Sequence, residues 1–299
     1  TGKVTMTVDY NRKPRLEVSD FLKGPGLSKI SQSDTPAVCE WYENLGTNHF
    51  PHEMEQLYRC WSFWMASNSS KWLLYRGTSA GRFNLLDLFR LRLALRGLRD
   101  MRFVHGFLEA LSPNVTIVSE PKYLKDAVRR DSSNSSWGRG NAFAMASYQD
   151  ARVLAETVRS NLYIPMKSGC SNSTGPRVAI LNRKLYSKRS IINAETLSRH
   201  LELELSTNVQ VEYFEGSDFA HQVEFFANYD LVISPHGAQL TGIPFLPSCG
   251  AFLEIFPASY YNQVFFGSLA AAAGIRQYSL HPSHGDGEAA WKDLQETRS

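Results

Sequence analysis

From residue 177 onwards the apolar and polar positions follow two alternating rhythms. RVAILN (177–182) is a short apolar run, followed by the basic loop RKLYSKRS. NAETLSRHLELEL then has helical spacing, with Asn193 as its expected N-cap. VQVEYFE (209–215) alternates like a strand, FAHQVEFFANY fits a helix, and DLVIS (230–234) is a buried-type strand. The turn PHGA leads into QLTGIPFL, read as the start of a helix. GAFLEIF (250–256) is strand-like, YNQVFFGSLAAAAG is a helix, and IRQYSL is a last strand. Strands separated by 10–15-residue helices predict βαβ units on a parallel sheet, a Rossmann-like domain.

The first half is less regular but similar in kind. Residues 51–66 predict an amphipathic helix with Pro51 in its first turn. KWLLYRG and NVTIVSE predict strands, and LLDLFRLRLALRGLRD and YQDARVLAETVRSNLYI predict helices. The arginines of the last segment are expected on a solvated face. KSGCSNSTGP (167–176) reads as a linker, and DSSNSSWGRGN (131–141) as an exposed loop. The expected organisation is an α/β domain over 1–168 and a Rossmann-like domain over 175–281, with a helix in 282–299 packing back on the first. Two such lobes face a central cleft.

Composition changes little in this picture. The 299 residues are 43% hydrophobic and 20% charged, enough for a core, and the net charge of +3 argues against non-specific nucleic-acid binding. No run of 18 apolar residues occurs, and the first residues lack the apolar stretch of a signal peptide. A targeting segment or membrane anchor is therefore expected upstream. The four cysteines, Cys39, Cys60, Cys170 and Cys249, form no CxxC pair. Three pairings are possible, and proximity favours Cys39 with Cys60 and Cys170 with Cys249. Sequons at Asn68, Asn114, Asn134 and Asn172 join the even cysteine count in pointing to an ER or Golgi lumen.

Candidate chemistry concentrates in 230–257. A buried strand ends at Ser234, and the turn holding His236, Gly237 and Ala238 lets backbone approach a ligand closely. The helix start beyond it offers N–H groups to an anion. Glu254, at the end of the next strand, is placed to hydrogen-bond ribose hydroxyls from the crevice rim. A second cluster, NHFPHEMEQ (48–56), opens the first-half helix, and there His52, Glu53 and then Glu55 are candidate general bases. The bland alternatives are a helix start decorated with acids and a hydrogen-bonded structural histidine. HFPHE is neither HExxH nor its inverse, and no acid-x-acid triplet lies in a suitable loop, so no metal is expected.

HGAQLTGIPFLPSCGAFLEIFP (236–257) resembles the signature of glycosyltransferase family 61, which includes plant β-1,2-xylosyltransferases and animal O-GlcNAc transferases. The family's upstream strand-Arg and second basic cluster are echoed by Ile180-Leu181-Asn182-Arg183 and by 188–193. Gln239 stands where the family usually has Gly, and Pro235 where it has a small residue. The resemblance implies a GT-B-like enzyme without a cofactor, with 1–168 as the acceptor-side domain and 175–281 as the nucleotide-sugar domain, taking GlcNAc, xylose or arabinose from a UDP-sugar to a glycan or glycoprotein hydroxyl with inversion. It implies a donor site of Arg183, Arg189, Asn193, His236, Gly237, Ala238 and Glu254, in which arginines neutralise the leaving diphosphate. Two alternatives stand beside it: a non-catalytic glycan- or partner-binding protein, and another nucleotide-sugar-handling α/β enzyme such as a phosphate-ester hydrolase or an epimerase.

Overall fold

The computed structural model describes residues 5–7, 34–42, 50–67, 69–77, 102–118, 127–131, 145, 147–165, 175–184, 189–257, 260 and 263–281. They form two sheets. The first holds β2 (Ala37–Tyr42), β3 (Trp72–Gly77), β4 (Thr116–Val118) and β5 (Val128–Asp131) in the order β4-β3-β2-β5, all parallel. The second holds β6 (Val178–Asn182), β7 (Val209–Tyr213), β8 (Leu231–Pro235), β9 (Ala251–Ile255) and β10 (Arg276–His281) in parallel. Its order is β10-β9-β8-β6-β7. Thr5–Thr7 (β1) adds an antiparallel edge strand to β10. The parallel α/β expectation holds, and in each sheet the strand order reverses once, between β2 and β5 and between β6 and β8.

The sequence explains why β6 lies inside. All five of its residues, VAILN, are buried, as a strand covered on both faces requires. One face packs Val178, Ile180 and Ile233 under α4 (Ala194–Leu205). The opposite face packs Ala179, Leu181, Val232 and Phe252 into a larger core with α5 (Phe219–Asn228), a 3₁₀ helix (Ala238–Phe245) and α6 (Gln263–Ala273).

That larger core continues into the first half through α1 (Phe50–Ala66), α2 (Arg102–Leu111) and α3 (Tyr148–Asn161). Phe219 of α5 meets Phe103 and Phe107 of α2 edge-on, with ring centroids 4.8 and 6.1 Å apart. Tyr58 of α1 donates to the carbonyl of Thr241 in the 3₁₀ helix (3.1 Å). Each buried aromatic here contributes about 2–3 kcal/mol through its apolar surface. Helix α1 is also tied to β2 by the Cys39–Cys60 disulfide, the pairing that proximity favoured. Cys249 is disulfide-bonded as well, while Cys170 lies outside the described residues. No helix among the described residues is long and apolar enough to cross a membrane.

Three local expectations change. The segment after the HGA turn is a 3₁₀ helix, not an α-helix. Pro244 has no N–H to give, and a Cβ on Gly242 would lie 2.2 Å from the ring of Phe226, so the segment is wound tightly against α5. The arginines of α3 are not a solvated face. Arg159 is buried, and Arg152 donates to the carbonyls of Pro244 (2.6 Å) and Leu246 (2.9 Å), capping the end of the 3₁₀ helix. Asn193 stands at the N-cap of α4 without a side-chain cap bond. The expected helices over 85–100 and within 282–299, the loop over 132–141 and most of the linker lie outside the described residues, as do Asn68, Asn134 and Asn172. Asn114 is exposed in the turn after α2.

Candidate functional site

Open α/β sheets bind ligands beyond the carboxyl ends of their strands where the order reverses. In the second sheet that point lies between β6, which ends at Asn182, and β8, which ends at Pro235. The chain leaves β6 as Arg183 and leaves β8 as His236-Gly237-Ala238, so the fold brings the predicted arginine and the predicted turn together. A Cβ placed on Gly237 would lie 3.4 Å from Nη1 of Arg183 and 3.8 Å from its Cδ. Glycine here lets the guanidinium lie against backbone.

Asn182, which the motif reading did not single out as a site residue, shapes this edge. Its Nδ2 donates to the carbonyl of Ile191 (3.0 Å), and its Oδ1 accepts from the N–H of Ile191 (2.8 Å). The two bonds fix both ends of the basic loop and hence where Arg183 starts. Further along that loop Arg189 is exposed with a left-handed backbone (φ 71°), and Asn193 is exposed two residues beyond Ile191. Gln239 lies between the strand ends, its Nε2 donating to Ser234 Oγ (2.9 Å) and to the Leu181 carbonyl (3.3 Å).

Glu254 does not line the crevice rim as expected. It is fully buried (0% exposed), because the pleat of β9 turns it to the same side as Phe252. Oε1 is hydrogen-bonded to Nδ1 of His236 (2.6 Å), and Oε2 accepts from Nε2 of Gln277 (2.7 Å). Burial pushes this carboxyl above its usual range against the opposing pull of His236 and Gln277. The ring of His236 is packed between Phe256, Tyr260 and Phe266, at centroid distances of 5.1–5.4 Å. Glu254 therefore sets the orientation of an imidazole whose backbone N–H is itself held by the Ile255 carbonyl (2.9 Å). Gln277, 23 residues further on, carried no motif that could have revealed this partnership.

The first-half cluster sits at the corresponding edge of the other sheet, where α1 follows the carboxyl end of β2. Glu53 is buried and accepts from Trp41 Nε1 (2.8 Å). Glu55 is buried and paired with Arg59 one turn on. Burial raises its carboxyl to about 7, with the Arg59 charge opposing. The side chain of His52 lies outside the described residues. Among the described residues, no three His, Cys, Asp or Glu side chains are grouped to hold a metal ion.

Two comparisons bear on this geometry. Residues 54–253, about two thirds of the chain, match the family described as Glycosyltransferase 61. The chain is also 29% identical over 125 residues to an EGF domain-specific O-linked N-acetylglucosamine transferase of Drosophila melanogaster. That similarity covers 42% of this chain and 23% of the fly enzyme.

Proposed function

The chain belongs to glycosyltransferase family 61, and on that premise we propose that it moves a sugar (GlcNAc, xylose or arabinose) from a UDP-linked donor to a hydroxyl of a glycan or glycoprotein. The observation that carries the reading is the placement of Arg183 against the Gly237 turn at the reversal point of the second sheet. A diphosphate seated there meets a fixed guanidinium, the imidazole of His236 and the backbone of the glycine turn. Together with Arg189 and Asn193 these groups take the place of a cation as the leaving charge develops.

In this reading the two sheets are the lobes of a GT-B plan, and their carboxyl edges face one cleft. The first sheet's edge takes the acceptor. Its hydroxyl proton passes to Glu55, Glu53 or His52, the acceptor oxygen bonds to the sugar carbon, and the bond to the diphosphate breaks from the opposite face, inverting the centre. Among them Glu55, paired with Arg59, has a carboxyl raised by burial to about 7, the range suited to proton transfer near neutral pH. Glu254 acts through His236 instead of touching ribose. The disulfides suit an oxidising compartment, and the reading sets the enzyme in the ER or Golgi lumen.

A thermal-shift screen of the purified chain against UDP, GDP, CMP and their sugar conjugates, with and without EDTA, tests the proposal. Selective stabilisation by a uridine nucleotide, insensitive to EDTA, is expected, since a ligand that binds only the native state raises its melting temperature. A folded chain that responds to none of them would overturn the reading.

A further inference from the structure

One side chain bridges the ends of β6 and β8 without a part in the scheme above. Gln239, the second residue of the 3₁₀ helix, is half-buried, and its Nε2 donates to Ser234 Oγ on β8 and to the Leu181 carbonyl on β6. A carbonyl oxygen only accepts, so the atom facing Leu181 must be the nitrogen and the amide cannot be turned over. Both hydrogens of Nε2 are thereby used. Oε1 is fixed on the other side, 3.4 Å from the position a Cβ on Gly237 would take, and Nη1 of Arg183 lies 3.4 Å from that same point.

The turn thus presents a cation and an oriented acceptor at one glycine. Phosphate oxygens are drawn to the guanidinium and repelled by an amide oxygen, whereas a hydroxyl is a good partner for that oxygen. A nucleotide sugar has this alternation, because its diphosphate is flanked by hydroxyls on both the ribose and the transferred sugar. The geometry points to Gln239 as a specificity-determining residue whose Oε1 accepts from a donor hydroxyl next to the diphosphate, an inference that rests on the nucleotide-sugar reading. A site built to hydrogen-bond a hydroxyl disfavours the analogue lacking it, because its own polar group is left unpaired.

The test is calorimetric titration of the chain and of Gln239→Met with UDP, 2′-deoxy-UDP, 3′-deoxy-UDP and the UDP-sugar that best stabilises the wild type. Methionine keeps the length of the side chain and removes the acceptor. Gln239→Met is expected to lose about tenfold in affinity for the UDP-sugar, the size of one neutral hydrogen bond. If the hydroxyl belongs to ribose, UDP weakens equally and one deoxy analogue binds wild type and variant alike. If it belongs to the transferred sugar, UDP is unaffected. The deoxy arm on the wild type stands even should the variant fold poorly, since a ribose contact there makes one deoxy-UDP about tenfold weaker than UDP. Wild-type affinity for every ligand in Gln239→Met would overturn the inference, and so would an equal loss for all of them, which marks a purely structural bridge. A wild-type chain that binds no uridine nucleotide overturns the donor reading itself and this inference with it.

Discussion

The two ends of the strand pair β6–β8 use the same kinds of residue for opposite purposes. At the amino ends, Arg177 and Asp230 close on each other, Nη2 to Oδ1 at 2.6 Å and Nε to Oδ2 at 3.0 Å. The backbone N–H of Arg177 adds a third bond to Oδ2 (2.9 Å). Donors and acceptors are matched inside the chain, and the strands are held in register. At the carboxyl ends Arg183 lies against Gly237, while Glu254 on β9 pairs with His236 beyond β8 and with Gln277 on β10. At the amino ends the carboxylate goes to the arginine and makes a staple, whereas at the carboxyl ends Glu254 goes to the histidine and Arg183 packs against the glycine turn.

The sharpest way to break this contrast is to delete each arginine's function in turn. Arg183→Ala is expected to weaken UDP binding about 100-fold, the loss of a charge-assisted contact. The melting temperature of the free chain should hardly move. Isothermal titration and calorimetric melting read the two quantities, and a large loss of stability without a change in affinity would make Arg183 a second staple. Asp230→Ala should do the reverse, costing about 2 kcal/mol in urea unfolding by leaving Arg177 without its partner, with UDP affinity unchanged. The pH sign follows. Burial pulls Asp230 up, but the bonds and charge of Arg177 bring it below the usual aspartate range. Its contribution is therefore present above about pH 4 and is lost as pH falls through the lowered native value. A variant as stable as the wild type at pH 7 would remove the staple from the comparison.

How much of this was readable beforehand follows from where each signal resides. β6, β8, β9, α1 and α3 announce themselves because burial demands unbroken apolar runs or helical spacing. β5 reads VRRD, three charged residues of four, and is a strand only because β2 offers it an edge. β2 carries Glu40 inside AVCEWY, and that acid is buried in the fold. Helix α2 contains Gly106, a weak helix former, whose reason is tertiary: a Cβ there would lie 2.2 Å from Cβ of Phe219. Arg183 and the HGA turn were legible because each directly follows a recognisable strand. The inward turn of Glu254, the loop clamp of Asn182 and the carbonyl cap of Arg152 depend on which strands and helices are neighbours, and one chain read in order does not show that.

Glu55 supplies the smallest expected effect and a direct counterpart to Asp230. Burial raises its native carboxyl to about 7, against 4.5 for the unfolded chain, with the charge of Arg59 opposing the rise. Below about pH 4.5 both states hold the proton. Between 4.5 and 7 the unfolded chain has released it while the native state retains it, so stability falls as pH rises across this window and levels off above it. That slope is opposite to the one Asp230 gives on the acid side. Glu55→Gln should flatten melting temperature against pH between 5 and 7 without abolishing the trend, because buried Glu254 is shifted the same way. If Glu55 is also the base, transfer by the wild type rises as pH passes about 7, and Glu55→Gln loses most of its turnover with donor affinity intact. Full turnover in that variant, with the stability slope still flattened, would hand the proton to Glu53 or His52 and leave Glu55 as a buried acid held by its arginine.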